Sequence, residues 1–596
     1  VQLSGGRYMS LDYGTLWKNW NPWAHIPEHY NLGIALTAGN VARGLGDKPA
    51  VRWSNQQGAS RTLTYRELDQ LSDRLAVSLQ KLDVGFGDRV FLRLPNIPEF
   101  YIAALGIAKL GGVFIPSSTQ FRASEIEYRL HDSSSVAIIT TSELLPEVEA
   151  ACRQYSGPLR IIVASYPQPN QRVEPHIGFS GLIADDVGTG SWQPVITRHD
   201  DIAFIAYTSG TTGDPKGVVH FQRYPIAYES LIRFWHDYRD DDVVACPSEL
   251  GWLLPIASTF LYALSRGLTV VLYDAMGQRF DPLRWFDLIQ NQRITNFTAT
   301  PTVYRMLMAA ADRAGEFDLS CWRHAVSAGE PLPADTLSVI QQHFGVTPLD
   351  GLGMSECMVY CFNLVGLPTR AGSCGHPGPG TVIELMDDDL KPVPPDTEGV
   401  LCIRRDSHPG MMREYWNKPE RTAEIFHGDW YVSGDMLTRD RDGYYWFKGR
   451  SDDVMKASGY RISPFEVESS LLEHPAVLEA AAVSSPDRVR GSVVKAFLVL
   501  RSGFEPSDQL TADVQAFVKE SIAPYKYPRK IEFVTSLPKT TSGKIRRKLL
   551  REQEERLAVE RQPRLSEAPR LQPVQNRRPI GDQAGFAGRA GIAAVA

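Results

Sequence analysis

The spacing of hydrophobic and polar positions changes along the chain and divides it into three parts. Up to about Arg450, short apolar runs alternate with longer amphipathic stretches, which is typical of layered α/β domains. The predicted strands include 89–94, 137–141, 269–273 and 400–403, and the predicted helices include 65–82 and 98–110. We therefore expect a large α/β domain over residues 1–450.

A different pattern follows Arg450. Ser463, Pro464 and Glu466 predict a helix start with a capping box and a proline at the first helical position. Strands are predicted at 480–484 and 493–500, and a helix near 512–521. These elements predict a small α+β domain over residues 451–555. Residues 556–596 are rich in Arg, Pro, Gly, Ala and Gln, which predicts a disordered tail.

The composition is that of a globular protein and excludes several functional classes. Of 596 residues, 43% are hydrophobic and 22% charged, and the net charge is −6, so nucleic acid is not an expected partner. No apolar run is long enough to predict a membrane span, and the first residues lack the apolar core of a signal peptide. The seven cysteines include no Cys-x-x-Cys pair, which predicts reduced thiols and a cytoplasmic location.

Residues 207–218 carry the clearest chemical signal. Their glycines allow backbone N–H groups to approach an anion, and Lys216 adds a positive charge. The hydroxyl groups of Ser209, Thr211 and Thr212 supply further donors. An apolar strand is predicted at 202–206, with a loop after it. The loop suits a polyphosphate, but it lacks the Walker A spacing and does not imply a P-loop NTPase.

This segment resembles the phosphate loop of the adenylate-forming superfamily, which contains acyl-CoA synthetases, standalone adenylation domains and luciferases. Further segments resemble other motifs of that family and follow in its usual order: 328–331, 350–356, 430–435, 449–456 and 538–545. Each is weak alone, but the ordered set is specific. The resemblance extends from about Trp17 to Arg551. It implies a large multi-subdomain N-terminal α/β domain and a small mobile C-terminal α+β domain.

The resemblance also implies roles for individual residues in binding ATP. Glu356 would hold Mg²⁺, a cation that prefers oxygen ligands, and Asp350 would face the adenine amino group. Asp435 and Arg450 would lie beside the ribose. The implied ATP-binding residues are Thr208, Ser209, Gly210, Thr211, Thr212, Gly213, Lys216, Gly329, Glu330, Pro331, Asp350, Gly351, Leu352, Gly353, Met354, Ser355, Asp435, Arg450 and Lys544. The family usually carries Tyr or Trp where Leu352 stands, so an aromatic face against adenine is lost here.

The implied reaction has two steps. A carboxylate attacks the α-phosphorus of ATP to give acyl-AMP and pyrophosphate, and coenzyme A then displaces AMP to form a thioester. The implied catalytic residues are Lys544, Glu356 and Thr208, and Asp452 is the implied hinge between the two domains. The implied borders of the coenzyme A tunnel are Ser458, Gly459, Tyr460 and Arg461. Segments 457–468, 473–477 and 523–530 make medium-chain acyl-CoA synthetases the closest subgroup.

The acyl pocket is predicted to be lined by Trp252, Leu253, Leu254, Ala328 and Gly353. Acetyl-CoA synthetases of this superfamily close the pocket with a tryptophan at the position of Gly353, so a glycine there predicts a larger acid. Each buried methylene of the acid adds about 0.8 kcal/mol. We therefore expect a medium-chain, branched or aromatic acid, and we expect Gly353→Trp to favour acetate. The alternative is that a neighbouring side chain fills the space.

Other functions remain open at this stage. They are a short-chain (acetyl or propionyl) CoA ligase, an enzyme that loads a carrier-protein thiol, a luciferase-like oxygenase and a nucleotide-binding regulator without catalysis. No carrier domain follows Lys544, which disfavours the second. The expected ligands are ATP, Mg²⁺, coenzyme A and a small carboxylic acid, and the expected state is a monomer or small homo-oligomer. Reversible acylation of Lys544 is a further hypothesis.

Overall fold

The computed structural model describes residues 12–166, 174–210, 213–329, 332, 334–387, 389–450, 455–462, 464–538, 545 and 547–560. Within that part of the chain, the strands are β1 (Pro49–Asn55), β2 (Ser60–Thr64), β3 (Arg89–Leu92), β4 (Val113–Pro116), β5 (Ala137–Thr141), β6 (Arg160–Ala164), β7 (Ile177–Gly178), β8 (Ile202–Gly210), β9 (Gly213–Phe221), β10 (Val243–Ala245), β11 (Thr269–Asp274), β12 (Asn296–Ala299), β13 (His324–Ala328), β14 (Leu349–Met354), β15 (Cys357–Phe362), β16 (His376–Pro377), β17 (Ile383–Met386), β18 (Glu398–Arg404), β19 (Phe426–His427), β20 (Trp430–Arg439), β21 (Tyr445–Arg450), β22 (Met455–Ala457), β23 (Tyr460–Ile462), β24 (Val477–Asp487), β25 (Gly491–Leu500) and β26 (Lys530–Phe533).

The α-helices of the same part of the chain are α1 (Tyr13–Asn19), α2 (Leu32–Leu36), α3 (Ala38–Asn40), α4 (Tyr65–Lys81), α5 (Pro98–Lys109), α6 (Ala123–Ser133), α7 (Leu145–Cys152), α8 (Phe179–Leu182), α9 (Tyr224–Ala227), α10 (Glu229–Phe234), α11 (Leu253–Pro255), α12 (Ala263–Ser265), α13 (Pro282–Gln292), α14 (Pro301–Met308), α15 (Ala334–Phe344), α16 (Pro419–Ala423), α17 (Pro464–Leu472), α18 (Asp508–Ser521) and α19 (Arg547–Glu560). Short π-helical segments span Val41–Leu45 and Ile256–Tyr262, and 3₁₀ segments span Ala311–Glu316 and Pro524–Lys526. None of these described helices has both the length and the apolar character needed to cross a membrane.

The large domain contains three sheets in its described part. One has nine strands in the order β16-β15-β14-β13-β12-β10-β11-β1-β2, and another has seven in the order β7-β6-β5-β3-β4-β8-β9. Both are parallel at their centres and carry antiparallel strands at an edge. A smaller antiparallel sheet combines β17, β18, β19, β20 and β21. The alternation of strands and helices in the sequence thus gives the predicted α/β layers.

Helix α5 lies in the core between the two large sheets. It is apolar on nearly all sides, and almost every residue from Pro98 to Lys109 is buried. A helix with this pattern must be covered all round, because any exposed side would leave apolar surface in water. The core around it includes Val51 and Val270 from the nine-stranded sheet and Val90 and Phe114 from the seven-stranded sheet.

The small domain is built on the three-stranded sheet β24-β25-β26. Successive side chains of a strand point to opposite faces, and the two faces hold different partners. Ala480 and Ala482 of β24 pack with the hairpin β22–β23 and with helices α17 and α18. Ala481 and Val483 pack on the other face with Leu550 of α19. That second face also holds Leu537 and Ile545, which flank residues 539–544.

The predicted elements of the small domain are confirmed, with longer bounds. Helix α17 begins at Pro464, and β24, β25 and α18 contain the predicted segments. Ser463 of the predicted capping box lies outside the described residues. Helix α19 extends to Glu560 and therefore includes the first five residues of the segment predicted as a tail. The rest of that segment, 561–596, also lies outside the described residues.

Candidate functional site

A large cavity lies where the hairpin β22–β23 of the small domain faces the large domain. Its volume is about 1630 Å³. It brings together residues from all three predicted sites. Those predicted to bind ATP are Thr208, Gly329, Asp350, Gly351, Leu352, Gly353, Met354, Ser355 and Asp435. Those predicted to bind the acyl group are Trp252, Leu253, Leu254, Ala328 and again Gly353, and those predicted to bind coenzyme A are Ser458, Gly459 and Tyr460.

Several predicted site residues are not placed by the structure. Thr211, Thr212, Glu330, Pro331, Asp452 and Lys544 lie outside the described residues. The backbone of five others lies in strands β8, β9, β21 and β23: Ser209, Gly210, Gly213, Arg450 and Arg461. The predictions for these residues therefore stay predictions.

The phosphate segment differs from the predicted strand and loop. Strand β8 continues beyond Ala206 to Gly210 and pairs with β9 in an antiparallel hairpin. Thr208 lies opposite Lys216, and Gly210 lies opposite Gly213. The small and polar residues of 207–210 gave no strand signal. Pairing with the strand Gly213–Phe221 decides their conformation.

Glu356 lies at the turn between β14 and β15 and is 6% exposed. The hydroxyl of Tyr415 donates a hydrogen bond to Glu356 Oε1 at 2.7 Å, and the ammonium of Lys216 lies 4.9 Å from the centre of the Tyr415 ring. The second carboxylate oxygen, Oε2, is buried and has no hydrogen-bond partner among the described residues. Tyr415 was not identified from the sequence, because nothing in its neighbourhood marks it.

The surroundings of Glu356 fit a Mg²⁺ ion held by one carboxylate. A buried anionic oxygen without a donor is favourable only when a cation or another donor approaches it. Among the described residues, no group of three or more His, Cys, Asp and Glu side chains could hold a metal. Mg²⁺ held by one carboxylate commonly takes its other ligands from phosphate oxygens and water.

Asp350 of β14 lies against the cavity and is 5% exposed. The backbone N–H of Leu332 donates to its Oδ2 at 3.2 Å, and its Oδ1 has no partner among the described residues. Burial raises the pKa of Asp350 to about 7, with the hydrogen bond from Leu332 acting in the opposite direction. The carboxyl group therefore changes its charge near neutral pH.

Asp435 of β20 is 2% exposed and also lines the cavity. The hydroxyl of Tyr360 donates to its Oδ2 at 3.4 Å, and its backbone N–H donates to Ser433 Oγ at 3.0 Å. In the neighbouring strand, Arg450 lies opposite it in register. The fold thus brings the two residues predicted to bind the ribose onto adjacent strands.

The coenzyme A segment forms the turn of the hairpin β22–β23. Ser458 and Gly459 have φ angles of 53° and 83°. Positive φ at both central residues is the geometry of the tight turn that joins antiparallel strands, and glycine adopts it without steric cost. The turn places Gly459 and Tyr460 at the wall of the cavity.

The predicted acyl residues line the cavity, and the apolar residues Val303, Met306 and Met358 line it as well. One expectation is corrected. A Cβ atom at Gly353 would lie 1.4 Å from the carbonyl oxygen of Met358 and 2.8 Å from Val359 Cα. The missing side chain of Gly353 therefore makes room for the neighbouring strand β15 and not for the acid.

Substitution of Gly353 is consequently expected to damage the fold. We expect Gly353→Ala to lower the melting temperature and reduce activity with every acid alike, because the clash with backbone exceeds ordinary overpacking, which costs about 1–3 kcal/mol. Melting curves and a chain-length profile check this. Ala328→Val is the matched variant at the cavity wall, where we expect the longest acids to be lost first. A folded Gly353→Ala enzyme that prefers acetate would contradict the correction.

Glu249 is a cavity residue that the sequence reasoning missed. It accepts hydrogen bonds from Ser118 Oγ at 2.8 Å and from the backbone N–H of Thr119. Burial raises the pKa of Glu249, and these hydrogen bonds and Arg93 act in the opposite direction. The sequence offers one signal for Glu249, which is an acidic residue shortly before the apolar pair Leu253 and Leu254. Its contacts fix the segment that carries Trp252.

Comparison with known proteins agrees with this geometry. The family model described as AMP-binding enzyme matches residues 39–416, and the model described as AMP-binding enzyme C-terminal domain matches residues 466–544. The chain belongs to the AMP-binding enzyme family. This result confirms the predicted membership of the adenylate-forming superfamily and the predicted α/β fold with a large N-terminal and a small C-terminal domain.

Relatives of this AMP-binding enzyme extend along nearly the whole chain. It is 37% identical over 532 residues to the uncharacterized acyl-CoA ligase YtcI of Bacillus subtilis, covering 89% of this chain and 97% of that protein. It is 36% identical over 543 residues to the mitochondrial acyl-coenzyme A synthetase ACSM3 of Rattus norvegicus, covering 89% and 91%. A benzoate CoA ligase from Burkholderia xenovorans superposes with a TM-score of 0.63 at 32% identity, covering 88% and 100%.

Proposed function

We propose that this chain is an AMP-forming acid:CoA ligase that activates a medium-chain, branched or aromatic carboxylic acid. The observation that carries the proposal is the single cavity lined by the ATP motifs, the acyl residues and the small-domain hairpin. The relatives described as acyl-CoA synthetases and as a benzoate CoA ligase support both the reaction and the class of acid.

The first step brings two anions together, so the site must neutralise negative charge. Mg²⁺, when bound at Glu356, supplies positive charge to the phosphate oxygens. Backbone N–H groups and hydroxyls at the hairpin β8–β9 would bind the same oxygens, while Asp350 and Asp435 orient the adenine and ribose. Fixed donors in a site with little water act more strongly than in bulk solvent.

The second step requires a different group at the cavity. Gly459 and Tyr460 already line it, as expected for the step that uses coenzyme A. The segment 539–544 is flanked by Leu537 and Ile545, which pack on the opposite face of the small-domain sheet. This placement supports a rotation of the small domain about Asp452 that exchanges the hairpin for Lys544.

Isotope exchange tests the proposed function directly. With Mg²⁺ and a panel of medium-chain, branched and aromatic acids, we expect exchange of labelled pyrophosphate into ATP, and thioester formation only when coenzyme A is added. Acetate and propionate are the matched short acids and should react more slowly, because they bury fewer methylene groups. Exchange with none of the acids would reject the proposal.

The raised pKa of Asp350 predicts a pH dependence of ATP binding. Below about pH 7 the carboxyl group is protonated, and above it the carboxylate accepts a hydrogen bond from the adenine amino group more strongly. The KM for ATP should therefore fall as the pH rises through 7. Asp350→Asn should weaken ATP binding and remove this pH step. If the KM for ATP of Asp350→Asn changed with pH by the same amount, the pH dependence would belong to another group.

A cytoplasmic location and a monomeric or small homo-oligomeric state are further parts of this proposal. Light scattering of the purified chain, at low and at moderate salt, measures its oligomeric state.

A further inference from the structure

A buried ion pair joins the small domain to the large domain beside the cavity. Lys526 ends the 3₁₀ segment of the small domain, and its Nζ lies 2.6 Å from Oε1 of Glu125 on helix α6. The two side chains are only 2% and 7% exposed. Both charges have therefore lost most of their hydration, and each depends on the other for compensation.

Glu125 is held ready for this contact by its own helix. The backbone N–H of Arg122 donates to Glu125 Oε2 at 3.1 Å, and the guanidinium of Arg129 donates to the carbonyl oxygen of Glu125 at 2.7 Å. Burial acts to raise the pKa of Glu125, but the positive charges of Lys526 and Arg129 bring it below its ordinary value. The carboxylate is thus charged and fixed in place.

Lys526 is connected to the cavity through three aromatic rings. The neighbouring Tyr525 stacks on Tyr460, with ring centres 4.1 Å apart and planes inclined by 22°. Trp252 of the large domain meets both rings edge-on, with ring centres 5.5 Å away in each case. Tyr460 directly follows Gly459 of the hairpin turn, so the ion pair and the rings hold that turn against the cavity.

We propose that Lys526 is a positioning residue for thioester formation, because its pair with Glu125 docks the small domain with Gly459 at the cavity. The inference rests on the proposed function and assigns a role to a residue outside the ATP, acyl and coenzyme A sites. The pair serves only this arrangement of the domains. Adenylation, which requires segment 539–544 at the cavity, proceeds with the pair separated.

Measuring the two half-reactions separately tests this role. Lys526→Met keeps the length of the stem but leaves Glu125 buried without its partner. We expect thioester formation from preformed acyl-AMP to slow by ~10-fold or more, since removing one member of a buried pair strongly destabilises it. Pyrophosphate exchange should change by less than about twofold. Glu125→Gln, a substitution in the large domain, should likewise slow thioester formation and leave pyrophosphate exchange nearly unchanged. This variant tests the proposal if Lys526→Met does not fold.

Lys495→Met is the matched control. Lys495 Nζ lies 2.6 Å from carboxylate oxygens of both Glu554 and Glu532, and all three residues belong to the small domain. This variant should lower the melting temperature and affect both half-reactions to the same extent. The double variant Glu125→Gln/Lys526→Met should be no slower in thioester formation than the slower single variant, because the two residues act as one unit.

Three results would overturn the role of Lys526: equal losses in both half-reactions, unchanged thioester formation, or additive losses in the double variant. A failure of the proposed function looks different. In that case the unmodified chain itself would show no pyrophosphate exchange with any acid, and no comparison of variants would be needed.

Discussion

Lys544→Ala is expected to reduce pyrophosphate exchange by ~100-fold or more while slowing thioester formation from preformed acyl-AMP far less. An ammonium group placed between the acid and the α-phosphate stabilises charge that develops only during adenylation, and loss of such a contact commonly costs this much. The two rates are measured separately, with labelled pyrophosphate for the first and isolated acyl-AMP for the second.

The basic segment around Lys544 offers a matched control. Lys548→Ala removes a positive charge from the same segment. We expect exchange to remain within about twofold of the unmodified enzyme, because the catalytic role is predicted for Lys544 alone. Equal losses for Lys544→Ala in both half-reactions would reject its predicted role. Mass spectrometry of protein from cells tests whether Lys544 is ever acylated.

Glu356→Gln is expected to have the other large effect. The substitution keeps the shape of the side chain but removes the negative charge from the buried oxygen Oε2, which has no hydrogen-bond partner among the described residues. We expect adenylation to fall by ~100-fold or more and the Mg²⁺ concentration needed for half-maximal exchange to rise, because the proposed anionic ligand of the cation is removed. Titration of Mg²⁺ at saturating ATP and acid measures both changes.

Tyr415→Phe separates the charge of Glu356 from its orientation. This variant removes the hydrogen bond at 2.7 Å and retains the carboxylate. A loss of about tenfold or less, with a nearly normal Mg²⁺ requirement, is expected from one hydrogen bond to a charged group. If Glu356→Gln left the Mg²⁺ requirement unaltered, the ion would have to be held elsewhere.

The sequence predicted the fold well because its signals are local. Apolar runs such as that of β5 and amphipathic stretches such as that of α4 match the observed elements within a few residues. Ordered motifs located part of the cavity wall, including Asp350, Asp435 and Gly459.

What the sequence could not predict depends on contacts between distant segments. Tyr415 meets Glu356 across 59 residues, and Lys526 meets Glu125 across 401 residues. Neither pair leaves a periodic signal. The prediction that Gly353 makes room for the acid was wrong for the same reason. The space beside Gly353 is filled by β15, and the pairing of β14 with β15 is not visible in the sequence.

The two occupied faces of the small-domain sheet have a kinetic consequence. One rigid sheet cannot turn both faces toward the same opening. Under the proposed function, Lys544 and the hairpin β22–β23 therefore reach the cavity in turn. An enzyme built in this way is expected to release pyrophosphate before the thiol reacts. Varying ATP at several fixed thiol concentrations should then give parallel double-reciprocal lines, and scarcity of the thiol should leave the reactive anhydride stored on the protein.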